Sequence, residues 1–114
     1  MKINHYTFGK ITINDRPYTS DVIVTPDTVI DSWWRREGHR LDKSDLDEIL
    51  NTNPDCLLVG TGYYGRMKIP QETIQYLQSK NIQLEYAPTT DAVKKLNDLQ
   101  RQYARVVAAL HLTC

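Results

Sequence analysis

Cys56-Leu57-Leu58-Val59 is an unbroken apolar run closed by Pro54-Asp55 on one side and by Gly60 on the other. A run this short and uniformly apolar predicts a strand covered on both faces, because a strand with one wet face alternates instead. A chain that holds such a strand must supply packing layers above and below it.

The flanking segments provide those layers. After Asp42, which is placed to cap a helix, Leu46, Ile49 and Leu50 recur at helical spacing, and Asn53-Pro54 ends the segment. Pro70 opens a second helix with Ile74 and Leu77 facing inward, and Asn81 closes it. Ile82 to Tyr86 alternates as a strand, after which Thr89 or Thr90 caps a third helix carrying Val93, Leu96, Leu99 and Tyr103. Val106 to Leu110 continues the helical spacing from Tyr103, but its paired valines and dense apolar character suit a sheet interior, so a buried final strand is expected. Upstream, Tyr6 and Phe8, Ile11 and Ile13, and Val22 and Val24 recur at period two, with turns at Asn14-Asp15-Arg16-Pro17 and Pro26-Asp27. Short antiparallel strands follow. The expected fold is therefore α/β, with a mixed central sheet, helices packed on it and an additional N-terminal antiparallel β-layer.

At 114 residues, 40% hydrophobic and 25% charged, one domain spanning residues 1–114 is expected. No apolar run approaches the ~20 residues that cross a bilayer, so no membrane partner is expected. Met1-Lys2-Ile3-Asn4-His5 passes directly into an alternating segment without an apolar or Arg-rich leader, and a cytoplasmic location is the expectation. Fourteen basic residues balance fourteen acidic ones, leaving no global field to draw in nucleic acid. Cys56 and Cys114 are isolated thiols without CxxC spacing, and His5, His39 and His111 lack metal-ligand spacing. No metal, cofactor or catalytic residue is expected from these patterns.

Two segments carry chemistry. Gly60-Thr61-Gly62-Tyr63-Tyr64-Gly65 matches GxGxxG after a strand, yet Arg66-Met67-Lys68-Ile69 separates it from the helix at Pro70. A dinucleotide fingerprint needs the helix to start within the glycines, so a tight glycine-enabled exit from the strand is the better reading. Its amides, with Arg66 and Lys68 nearby, could instead hold a small anion. Trp33-Trp34-Arg35-Arg36-Glu37-Gly38-His39-Arg40 concentrates both tryptophans and four potential cations. Such groups form protein-binding hot spots and can stack on bases, while the plain alternative is one Trp in the core and arginines paired on a solvated loop.

The segments Tyr18 to Val24, Trp33 to His39, Gly60-Thr61-Gly62-Tyr63 with Gly65-Arg66-Met67, and Leu110 to Cys114 together resemble the Mth-type family of domains of unknown function. Its eukaryotic relatives include an adipogenesis-associated Mth-domain protein and a mitochondrial complex I assembly factor. The resemblance spans nearly the whole chain. It implies a three-layer α/β fold whose last strand runs antiparallel to its neighbours, and it brings no catalytic set to carry over.

The expected function is a non-enzymatic protein-binding or assembly module. A small-anion or small-molecule site on the Gly60 to Arg66 loop, which an enzyme could use, is the alternative. The expected site comprises Trp34, Arg35, Arg36, His39, Thr61, Gly62, Tyr63, Arg66 and Thr89, because both segments should meet beyond the carboxyl ends of the parallel strands. One cavity bordered by Thr61, Gly62, Arg66, Thr89 and at least one of Arg35, Arg36 and His39 is expected there. His111 is left out on the condition that its strand runs antiparallel.

Overall fold

The computed structural model describes residues 2–114. Strands β1 (Ile3–Thr7), β2 (Lys10–Ile13) and β3 (Arg16–Tyr18) form a three-stranded antiparallel sheet in chain order. Asn14 and Asp15, with φ of 50° and 66°, make the β2–β3 turn, since consecutive left-handed residues match the twist of a tight hairpin. A second hairpin follows, β4 (Val22–Val24) and β5 (Val29–Ile30). The Thr25 hydroxyl accepts the Asp27 and Thr28 amides and closes the Pro26-Asp27 turn between them.

The remaining elements alternate: α1 (Asp47–Leu50), β6 (Cys56–Thr61), α2 (Gln71–Ser79), β7 (Gln83–Ala87), α3 (Thr89–Gln102) and β8 (Val106–His111). With the hairpin they build a five-stranded mixed sheet in the order β5-β4-β8-β6-β7. Both β6 and β8 are buried along their full length. Parity then sorts the core into two halves. Cys56, Leu58, Val106, Ala108 and Leu110 pack with Ala92, Leu96 and Leu99 of α3 and with Ile11 and Ile13 of the N-terminal sheet. Leu57, Val59, Val107 and Ala109 pack with Ile49, Leu77, Leu41 and Trp33 on the other face. The result is the layered α/β fold expected, including the added β-layer.

Three details depart from expectation. The last strand is antiparallel only to β4, pairing Val22 with Leu110, and it is parallel to β6, pairing Cys56 with Val106 through to Thr61 with His111. The reason is the α3 crossover, which returns the chain to the starting edge of the sheet and makes β8 run with β6 and β7. The helix expected after Asp42 is a 3₁₀ turn over Lys43–Asp45 and then the single turn of α1. Asp45 accepts the amides of Asp42 and Arg36, so its carboxylate ties this turn to the Trp33 to Arg40 segment. In α2, Thr73 is buried beside Leu77 and Ile74 is only half-buried, because the Thr73 hydroxyl donates to the Leu41 carbonyl at 2.8 Å.

Candidate functional site

Strands β6 and β8 end together at the Thr61–His111 pair, with β7 ending beside them at Ala87. Everything that leaves these strand ends forms one rim. His111 belongs to it, and the condition for leaving it out fails because β8 is parallel to β6.

The glycine loop is bound tightly into this rim. Gly62 N–H donates to the Thr89 hydroxyl, Tyr63 N–H to the Thr113 carbonyl, Gly65 N–H to the Gly62 carbonyl, Arg66 N–H to the Cys114 carbonyl and Met67 N–H to the Thr61 carbonyl. Gly62 has φ of 107°, and a Cβ there would run into the Cys114 backbone. These amides are committed within the protein, so they do not form an open anion nest. Thr89 is fully buried, and its hydroxyl also donates to the His111 carbonyl at 2.6 Å. Gly62 and Thr89 thus hold the rim together from inside it.

The Trp33 to Arg40 segment lies directly against this loop. Lys68 N–H donates to the His39 carbonyl, and Leu41 N–H donates to the Lys68 carbonyl. From Trp33 to Arg36 the side chains alternate, and the chain then turns, with Arg40 N–H donating to the Glu37 carbonyl. Trp33 and Arg35 are buried, whereas Trp34 and Arg36 are exposed. The Arg35 guanidinium carbon sits 4.5 Å from the Trp33 ring centroid, a stacked cation–π contact.

Beneath this stack the carboxylate of Asp21 gathers three donors. Its Oδ1 accepts the Leu112 amide at 2.8 Å, and its Oδ2 lies 2.8 Å from both Arg35 Nη2 and His111 Nδ1. Arg35 Nη2 also reaches the Gly38 carbonyl at 2.7 Å. Nη2 has two protons, which go to Asp21 and Gly38, so its 3.0 Å approach to His111 Nδ1 is a contact without a shared proton. His111 Nδ1 therefore carries a proton toward Asp21, and Nε2 presents a lone pair when the ring is neutral. Burial alone pushes the Asp21 carboxyl up. The hydrogen bonds from His111 and Leu112, with the charge and donors beside it, outweigh that and hold it below its usual range.

The exposed side of the rim is aromatic and basic. Trp34 is 76% and Tyr64 65% exposed, with Phe8 and Tyr63 about half covered. Phe8, Tyr63 and Tyr64 contact one another at centroid distances of 5.1 to 6.1 Å, and Arg66 lies 5.9 Å over Tyr64. Among the described residues, Arg36, Arg66 and Lys68 have no carboxylate at ion-pair distance.

Two open cavities replace the single one expected. One of about 450 Å³ is lined by Glu37, Gly38, His39, Arg40 and Lys68. The other, of about 520 Å³, includes Thr61, Gly65, Met67, Lys68 and Pro88 in its wall. His39 borders the first and Thr61 the second. Gly62, Thr89 and Arg66 border neither. Sequence reasoning missed Asp21 and Phe8 as rim residues, placed Lys68 beside the loop without counting it in the site, and left out His111 on a condition that fails.

Among the described residues no three His, Cys, Asp or Glu side chains gather as a metal site, and no helix is long and apolar enough to cross a membrane.

A rim of this kind on a layered α/β sheet defines a class of small domains rather than a reaction. Residues 3–111 match the family described as protein of unknown function DUF498/DUF598, and the chain belongs to that family. A conserved hypothetical protein from Pyrococcus horikoshii is similar over all of both chains, at 29% identity with a TM-score of 0.83. A Bordetella parapertussis protein is 25% identical, with 97% of this chain and 94% of that one covered and a TM-score of 0.80. A Bordetella pertussis protein described as a Mth938-like domain shares the fold at 20% identity, covering 97% of this chain and 85% of that one, with a TM-score of 0.71.

Proposed function

We propose that the protein is a non-enzymatic binding or assembly module of the cytoplasm that docks another protein on the exposed side of the rim. One observation carries this reading: Trp34, Tyr63, Tyr64 and Phe8 stand exposed on a rim where Arg36, Arg66 and Lys68 lack carboxylate partners among the described residues. Aromatic rings with arginines supply most of the energy at protein interfaces, and among the described residues no carboxylate lies at ion-pair distance from these cations. The complementary partner surface is acidic, with apolar groups that cover the rings.

The test is affinity capture from the source organism with quantitative proteomics, comparing the natural chain with Trp34→Ala, Tyr64→Ala and Arg66→Glu. All three positions are exposed, so unfolding temperatures stay unchanged. The reading requires that one set of acidic proteins drops out with each variant. A captured set that is identical for all four proteins would refute it.

A further inference from the structure

Four buried polar atoms of the rim have no hydrogen-bond partner among the described residues: Arg35 Nε and Nη1, Trp33 Nε1 and His111 Nε2. They belong to three side chains linked through Arg35, which stacks on Trp33 and brings Nη2 3.0 Å from the His111 ring. Arg35 is 7%, His111 4% and Trp33 4% exposed. Native proteins leave few such atoms, and each costs stability unless something binds it. Four in one contact cluster point to a ligand.

Their chemistry restricts what that ligand is. Arg35 Nε and Nη1 and Trp33 Nε1 are donors only, whereas His111 Nε2 is an acceptor in the neutral ring, whose Nδ1 holds the proton toward Asp21. Asp21 already balances Arg35, so what the cluster offers an anion is a set of directed N–H donors rather than net positive charge. We propose that this cluster binds a small oxyanion that also carries one hydroxyl, of which monohydrogen phosphate is the simplest. Its oxygens receive the Arg35 and Trp33 protons and its O–H is given to His111 Nε2.

Access is through the 450 Å³ cavity lined by Glu37, Gly38, His39, Arg40 and Lys68. Gly38 and His39 link the wall of that cavity to the cluster, since the Gly38 carbonyl accepts from Arg35 and the His39 ring lies 5.8 Å from the His111 ring. Lys68, without an ion-pair partner, adds an attractive charge at the entrance. Apart from Lys68 at its entrance, this site uses none of the residues of the outer docking surface.

The test is a titration of the ¹⁵N-labelled protein with inorganic phosphate and, at matched ionic strength and neutral pH, with sulfate. Sulfate has the same shape and no O–H at that pH. The expected result is saturable movement of the Trp33 indole and Arg35 Nε–H resonances with phosphate, the exposed Trp34 indole serving as control. Phosphate should bind about tenfold or more tightly than sulfate, because a site built to hydrogen-bond a hydroxyl rejects the analogue without it. Trp33→Phe keeps the ring under Arg35 and removes one donor, which should weaken phosphate about tenfold. If that variant does not fold, the exposed Lys68→Ala substitution should still weaken binding several-fold. Equal affinity for the two anions, or no saturable shift at millimolar phosphate, would overturn the proposal.

Discussion

Asp21 Oδ2 and His111 Nδ1 lie 2.8 Å apart, joining the start of β4 to the end of β8 across 90 residues of chain. The same oxygen holds Arg35, so one carboxylate fastens the inner face of the Trp33 to Arg40 segment to the sheet. Asp21→Asn keeps the shape and removes the charge, leaving Arg35 buried without its counterion. Such a broken buried pair is expected to cost about 3–5 kcal/mol. Urea unfolding of the natural and substituted proteins at neutral pH gives this difference directly.

The same group predicts a pH dependence. The folded protein holds the Asp21 carboxyl below its unfolded-state range, so its stabilisation is present in full above the unfolded value and is lost as pH falls through the lowered folded value. The natural protein should therefore lose stability through that acid window more steeply than Asp21→Asn. Parallel acid limbs for the two proteins in thermal unfolding would contradict the role assigned to Asp21.

The layers were legible from Cys56 to Val59 and Val106 to Leu110, because a strand covered on both faces has to be apolar at every position. Direction was not legible, since an apolar run reads the same whichever way it crosses the sheet, and with direction went the place of His111. Arg35 and Arg36 are alike as residues, and only the extended backbone, which turns every second side chain inward, separates the buried one from the exposed one. Asp21 carries no local signal at all. Its partners are brought to it by the β4–β8 pairing.

Thr89 shows how a residue expected to cap a helix does different work. Its hydroxyl accepts from Gly62 N–H and donates to the His111 carbonyl, with no exposure to water. Thr89→Val preserves volume and strands both backbone groups. A loss of about 2–4 kcal/mol is expected from two unmet buried polar groups. Equilibrium denaturation measures it, and a change under 1 kcal/mol would mean the loop repairs these bonds in another way.

Two glycines of the rim should respond in opposite fashion. Gly62 combines φ of 107° with a backbone neighbour where a Cβ would stand, so Gly62→Ala is expected to cost about 4 kcal/mol or more. Gly38 has ordinary φ and open space, and Gly38→Ala should stay within about 1 kcal/mol of the natural protein. Thermal unfolding of the pair separates a glycine required by packing from one that is free to vary.

The last expectation concerns β8, which lies between β4 and β6 and is buried from Val106 to His111. Its amides and carbonyls pair with strands on both sides, one antiparallel and one parallel, and the packed layers cover both faces. Opening β8 therefore requires breaking the sheet in its middle, which is close to global unfolding. Val106 to Leu110 amides should be among the slowest to exchange with deuterium, while the edge strand β5, only two residues long, exchanges early. If Val106 to Leu110 exchanged as fast as β5, the central position of β8 would be wrong. The shared rim that depends on its parallel pairing with β6 would fall with it.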